Sequence, residues 1–88
     1  MSYKIELSEK TAKFLDKMQS KDQHNFDIVI KHLKNLELDP EHFGKALTGN
    51  LKGLWSYRTG DFRIIYQIQK EYKLVFIATI GHRRGIYE

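Results

Sequence analysis

The sequence contains no cysteine and only one proline among its 88 residues. Without cysteine, the chain has no disulfide framework, no thiol nucleophile and no thiolate metal ligand. Its apolar runs are all shorter than the ~20 residues that a membrane-spanning helix requires. The first residues, MSYKIELSEK, lack the apolar core of a signal peptide. These absences predict a soluble cytoplasmic protein that does not bind membranes, and the length predicts one domain over residues 1–88.

Motifs that depend on fixed spacing are also missing. The chain has no glycine-rich phosphate loop, no nucleophile elbow and no Ser/His/Asp arrangement, so nucleotide hydrolysis and acyl transfer are not expected. His24, His32 and His42 have no partner carboxylate at the spacing of metal ligands on a shared face. We therefore expect neither a bound metal nor a cofactor.

The net positive charge of the chain comes entirely from its second half. Residues 1–50 contain eight lysines, no arginine and eight acidic residues, so their net charge is zero. Residues 51–88 carry the whole net charge of +4 and all four arginines. Because the arginine guanidinium is a planar fork that binds phosphate through paired hydrogen bonds, the second half is expected to meet an anion.

Hydrophobic periodicity predicts an α+β fold in the order β-α-α-β-β-β. The alternating residues 3–7 predict an N-terminal strand. Ser8 is expected to cap a helix over residues 9–18. Ser20 and Gln23 form a capping-box pattern that is expected to open a second helix, which ends at Asp39-Pro40. The two helices form a hairpin.

The remaining residues predict a loop followed by a three-stranded meander. Residues 40–53 contain the only proline and three of the six glycines, and they predict the loop. Residues 54–59, 62–69 and 73–80 are rich in β-branched and aromatic side chains, and they predict the strands. We expect the helical hairpin to pack on one face of a small antiparallel sheet.

The hexapeptide RTGDFR, residues 58–63, predicts a tight hairpin with an unfavourable charge pair. Gly60-Asp61 suits a two-residue loop, because glycine accepts a positive φ at its first position. In this register Arg58 lies opposite Arg63, and like charges directly opposite each other destabilise a sheet. Two arginines splayed into solvent would also satisfy the pattern.

Strand order favours an anion site over two separate surface arginines. The last strand runs antiparallel to the strand of Arg63, so its end at Ile80-Gly81 returns to the same edge of the sheet. The tail that follows carries His82, Arg83, Arg84 and Tyr87. Four arginines, a histidine and a tyrosine are therefore expected to converge on one site for a phosphate backbone.

Of the reactions that such a cluster could catalyse, RNA cleavage requires the fewest catalytic groups from the protein. The ribose 2′-OH is the nucleophile, arginine stabilises the charge that develops on the phosphate, and His82 or Tyr87 is a candidate for proton transfer. The products would be a 2′,3′-cyclic phosphate and a free 5′-OH, with no need for a metal.

Three stretches resemble the RelE/ParE superfamily of bacterial type II toxins: NLKGLWSYR (50–58), GDFRIIYQI (60–68) and GHRR (81–84), followed by Tyr87. The resemblance covers the whole chain in length and element order, and residues 44–87 are its most specific part. It implies a compact RelE-like α+β fold. RelE-like members cleave mRNA in the ribosomal A site, which implies the same activity here.

The resemblance also implies roles for individual residues. By matching position, Arg63 would stabilise the scissile phosphate, Arg83 would be a second phosphate arginine, and Tyr87 would lie close to the reaction. Catalysis is thus expected from these three and His82. RNA binding is expected from four further basic residues: Lys45, Lys52, Arg58 and Arg84.

Some positions depart from the pattern of the superfamily. Leu54 and Ser56 stand where typical RelE has paired lysines. Lys45 stands near the place of the carboxylate base in YoeB-like members. YoeB-like members also end in an adjacent His-Tyr pair, whereas His82 and Tyr87 are five residues apart. These departures leave the identity of the proton-transfer group open.

The implied partners are a cognate antitoxin and the translating ribosome. The antitoxin would be RelB-like, acidic and partly disordered, and would cover the basic surface; operator DNA would be bound only through the toxin–antitoxin complex. Two alternatives stay open. ParE-like members share the fold but inhibit DNA gyrase without cutting RNA, and a small RNA-binding module without catalysis would also need a basic surface.

Overall fold

A computed structural model describes residues 2–82, with only the backbone of His82 described. It contains three helices: α1 (Glu9–Lys21), α2 (Gln23–Leu38) and the short α3 (Pro40–Phe43). Five strands were found in the same residues: β1 (Lys4–Leu7), β2 (Lys45–Ala46), β3 (Trp55–Thr59), β4 (Phe62–Gln69) and β5 (Leu74–His82). None of the described helices is long and apolar enough to cross a membrane.

The five strands form one sheet in the order β1-β5-β4-β3-β2. Strands β3, β4 and β5 are the expected antiparallel meander, and the α+β class with its helical hairpin is confirmed. The sheet is mixed, however, because β1 pairs with β5 in parallel. Hairpin turns fix the relative direction of the meander strands, whereas β1 is joined to them through the helices and, among the described strands, pairs with β5 alone.

The N-terminus of α1 is held to β5 by the expected cap. Ser8 accepts a hydrogen bond from the backbone N–H of Thr11 at 3.1 Å and donates one to the carbonyl of Ala78 at 2.9 Å. Ala78 is an extra residue in β5, since Ile65 pairs with Thr79 while the next residue pairs with Ile77. The cap therefore supplies a partner to a backbone carbonyl at a β-bulge, where ladder pairing is interrupted.

The expected start of the second helix at Ser20 is wrong. Helix α1 continues to Lys21, and the N-cap of α2 is Asp22, whose carboxylate accepts from the backbone and side chain of Asn25. These hydrogen bonds lower the pKa of Asp22 below its usual range. The N–H of Asp22 also bonds to the Met18 carbonyl, so one residue ends α1 and begins α2.

The expected loop over residues 40–53 contains short elements that the sequence pattern did not reveal. Asp39 caps α3, and Pro40 occupies its first turn. Proline has no backbone N–H, but an N–H in the first turn would have no partner within the helix, so no helical hydrogen bond is lost. Gly44 then leads into β2, whose two residues pair with Ser56 and Trp55 of β3. Elements of four and two residues are too short to show a hydrophobic period.

The core lies between the helical hairpin and one face of the sheet. Its members are buried side chains of α1, α2, β4 and β5: Leu15, Met18, Val29, Leu33, Leu36, Phe62, Ile64, Tyr66, Val75, Ile77 and Ile80. Alternation along β4 sends Phe62, Ile64 and Tyr66 toward the helices. Arg63 therefore lies on the opposite face of β4, away from the helices.

Candidate nucleic-acid interface

The hairpin between β3 and β4 places Arg58 opposite Arg63, as the sequence predicted. Gly60 has a φ of 67°, which is the left-handed conformation that the tight turn needs. Arg63 in turn pairs with Gly81 of β5. A row formed by Arg58, Arg63 and Gly81 thus crosses three strands, and the last strand reaches Arg63 just before the arginine-rich tail begins.

A pocket of about 410 Å³ opens beside this row. Strand β2 is only two residues long, and its pairing along β3 ends at Ser56. The edge of β3 near Arg58 therefore has no β2 residue beside it, and this leaves space for the pocket. The lining residues come from α3, β2, the segment after it, β3 and β4: Phe43, Lys45, Leu47, Ser56, Tyr57, Arg58 and Arg63.

The pocket is cationic. Lys45, Arg58 and Arg63 come from three adjacent strands, and no acidic side chain lines the pocket among the residues that the structure describes. The salt bridges found between described residues, Lys13–Glu9 and Lys70–Glu41, do not involve Lys45 or Arg58. Three positive charges around one concavity favour an anionic ligand.

The cations differ in their exposure. Arg58 is exposed, whereas Arg63 is half-buried, and Ile65 on the same face of β4 is only 5% exposed. This face is therefore not a uniformly solvated one. Because charges interact more strongly where water is partly excluded, Arg63 is placed to act more strongly than Arg58 on a bound anion.

The position of α3 beside the pocket depends on Tyr66. This side chain is completely buried and its hydroxyl donates a hydrogen bond of 2.5 Å to the carbonyl of Pro40. Gly44 lets the ring pass, because a Cβ at that position would overlap the phenol oxygen. Trp55 stacks on the Tyr66 ring with centroids 6.4 Å apart. These contacts hold the segment that carries Phe43 and Lys45.

Burial raises the pKa of Tyr66 above its ordinary value of 10.0, with Tyr57 and Asp39 adding to the effect. Above about pH 10 the unfolded tyrosine loses its proton while the folded one keeps it, so stability falls as pH rises. We expect the stability lost through this residue to approach about 1.4 kcal/mol per pH unit as the pH rises above 10. Urea unfolding between pH 8 and pH 11 measures it as a slope.

Tyr66→Phe is expected to unfold more easily at pH 8, by about 1–3 kcal/mol, because the Pro40 carbonyl loses its partner. Its stability should nevertheless fall less steeply at alkaline pH. Tyr72→Phe is the matched control, since Tyr72 is 74% exposed, and it should keep the wild-type slope. If stability falls equally steeply with pH in the wild type and both variants, Tyr66 does not cause the loss of stability at alkaline pH.

The structure brings together three of the residues predicted for the site: Lys45, Arg58 and Arg63. Lys52 is exposed, follows a short 3-10 turn at Gly49–Leu51 and is not one of the lining residues. The backbone of His82 pairs with Phe62 at the end of β5. Arg83, Arg84 and Tyr87 lie outside the described residues, so their predicted roles stay predictions.

The apolar part of the pocket was missed by the sequence analysis. Phe43 and Leu47 lie in the segment predicted to be a loop, where no periodicity assigns a side chain to a face. Tyr57 pairs with the core residue Ile64, yet it also lines the pocket. Within residues 2–82 no group of three or more histidine or acidic side chains could hold a metal ion.

Solved toxin structures share this fold. The chain superposes with a TM-score of 0.83 on a chain of the RelBE2 toxin–antitoxin complex from Mycobacterium tuberculosis, with 26% identity, covering 94% of this chain and 100% of the other. A chain of the archaeal RelE–RelB complex from Pyrococcus horikoshii gives 0.70 with 27% identity, covering 94% and 97%. The YoeB/ParE toxin of Agrobacterium tumefaciens gives 0.78 at 17% identity over 91% and 98%, a likeness of fold alone.

These structures place the chain in the RelE/YoeB class of folds, and sequence comparison then gives the family. The chain belongs to the family of ParE toxins of type II toxin–antitoxin systems, whose model matches residues 5–87. Toxin RelG of M. tuberculosis is 38% identical over 53 residues, which cover 60% of this chain and 61% of RelG. Toxin RelE of the same organism is 39% identical over 49 residues, 56% of this chain and 50% of that protein. The matched regions thus span about half to three fifths of these relatives.

Proposed function

We propose that this chain is a toxin that cleaves mRNA on the ribosome and so inhibits translation. One observation carries the proposal: three cations on adjacent strands line one pocket, and β5 reaches Arg63 just before the Arg83-Arg84 segment of the sequence. Such a surface suits a phosphate backbone. RNA is preferred as the ligand because its 2′-OH supplies the nucleophile, so the protein need not supply one.

The proposed reaction is attack of the 2′-OH on the adjacent phosphate. A general base takes the 2′ proton, the new O–P bond forms, and the bond from phosphorus to the 5′ oxygen breaks while an acid protonates that oxygen. Arg63 and Arg83 stabilise the charge on the phosphate, and Tyr87 and His82 are the candidates for proton transfer. Lys45, Lys52, Arg58 and Arg84 hold the RNA. No step requires a metal.

The proposed partners follow from the same surface. A cognate antitoxin, RelB-like, acidic and partly disordered, would neutralise the cationic pocket; structures of two relatives are complexes named RelBE2 and RelE–RelB. The proposed substrate is mRNA in the ribosomal A site of the cytoplasm. Operator DNA is bound only through the complex with the antitoxin.

Mapping transcript 5′ ends after induction of the protein tests the proposal. We expect new, codon-phased cuts with the wild-type chain, and the loss of these cuts with Arg63→Ala and with Arg83→Ala. Lys31→Ala is the control, since Lys31 is an exposed residue of α2 outside the pocket, and it should cut as the wild type does.

The competing function is inhibition of DNA gyrase, which the description of the matching family as ParE toxins favours. Growth arrest with intact transcripts and broken DNA would establish it and overturn the nuclease. Cuts that persist in Arg63→Ala would also contradict the proposal, because they would show that the pocket does not carry the chemistry.

A further inference from the structure

One wall of the cationic pocket is apolar and aromatic. Phe43, Leu47 and Tyr57 are among its lining residues, and none of the described lining residues is acidic. Phe43 is 38% exposed, which makes it one of the large apolar side chains that this chain leaves in contact with water. A site that bound phosphate alone would gain nothing from such a wall.

Phe43 is held in place by contacts that lead back to the core. Its ring centroid lies 5.8 Å from that of Tyr57 and 5.0 Å from that of His42. Tyr57 is itself fixed by α2, because its hydroxyl accepts a hydrogen bond of 3.1 Å from Asn35 and its ring meets His32 edge-on. These ring contacts limit the positions open to the Phe43 ring, so less conformational entropy is lost when a ligand stacks on it.

The chain places this surface next to the cations. Phe43 precedes Lys45 by two residues, and Lys45 pairs with Ser56, which is two residues from Arg58. A ligand that satisfies both parts of the pocket must join an anion to a flat, apolar group. A nucleotide does so, since its base has a π-face and its phosphate is charged.

We propose that Phe43 forms a nucleobase subsite together with Leu47 of the same pocket lining, and that one base stacks on Phe43 while the neighbouring phosphates contact Lys45 and Arg58. This subsite rests on the proposed function, because it assigns a place to a base of the same RNA. Stacking on an aromatic ring depends little on base identity, so Phe43 positions the strand in the pocket.

Binding of a short single-stranded 2′-deoxy oligonucleotide tests the subsite, because this ligand cannot be cleaved through a 2′-OH. We expect Phe43→Ala to weaken binding about tenfold at low salt. Phe43→Trp should retain binding. The salt dependence should stay that of the wild type in both variants, because no phosphate contact is lost, whereas Arg58→Ala should reduce the slope by about one unit.

An abasic scan separates stacking from a structural effect. Oligonucleotides that lack one base at a time should bind the wild type more weakly when the missing base is the one on Phe43. With that oligonucleotide Phe43→Ala should cause no further loss. Tyr72→Ala is the matched control, as an exposed tyrosine at the turn between β4 and β5, and it should bind like the wild type.

Each contrary result has a distinct meaning. If Phe43→Ala weakens all abasic oligonucleotides equally, the residue acts through the shape of the pocket and the subsite is wrong. If Phe43→Ala has no effect while Arg58→Ala does, the subsite is wrong and the phosphate site stands. If the wild type binds no oligonucleotide, the subsite is also wrong, and transcript mapping alone then decides the proposed function.

Discussion

Arg63→Ala is expected to slow RNA cleavage by about 100- to 1,000-fold at saturating toxin, which is the usual loss when one donor to a developing anion is removed. Arg63 is half-buried on the central strand β4, between Arg58 and Gly81. Because water is partly excluded from that position, the guanidinium attracts the charge that develops on the phosphate strongly. The rate at saturation, measured on programmed ribosomes with excess toxin, isolates the chemical step.

Arg58→Ala provides the contrast, because Arg58 is exposed on β3. Its loss should raise the toxin concentration needed for half-maximal rate by about tenfold and leave the saturated rate within about threefold of wild type. Arg63→Lys should recover only part of the rate, since lysine keeps the charge but not the fork. Equal effects of Arg58→Ala and Arg63→Ala on both quantities would contradict the division of roles.

Gly44→Ala is expected to destabilise the fold by about 3 kcal/mol, the upper part of the range for overpacking. The added Cβ would overlap the phenol oxygen of Tyr66 and stand 2.8 Å from the ring carbon that bears it and 3.2 Å from the Ser56 carbonyl. Tyr66 cannot retreat without losing its buried hydrogen bond to Pro40. The backbone of Gly44 is extended, so the cost comes from space and not from φ.

Urea unfolding of the single and double variants measures this effect. In Tyr66→Phe the overlapping oxygen is absent, so Gly44→Ala should cost at least about 1 kcal/mol less there than in the wild type. Gly44→Ala should also weaken oligonucleotide binding, since Gly44 lies between Phe43 and Lys45. A cost below about 0.5 kcal/mol would show that α3 moves freely, and the pocket would then not be held by Tyr66.

The arginine row was predictable because its geometry is local. A two-residue turn at Gly60-Asp61 fixes the register of β3 against β4, and an antiparallel return fixes which end of β5 meets Arg63. The segment between α2 and β3 was not predictable in this way. Its position depends on a hydrogen bond from Tyr66 to Pro40 across 26 residues of sequence, and no periodicity encodes such a contact.

The sequence by itself determined the α+β order, the meander, the Arg58–Arg63 pair and the resemblance to type II toxins, because turns, alternation and composition act over a few residues. Only the tertiary structure decided that the sheet is mixed, that β2 is short enough to leave a pocket, and that Phe43 lines it beside Lys45. These features depend on how segments that are distant in the chain pack closely against one another, and no local sequence pattern specifies such packing.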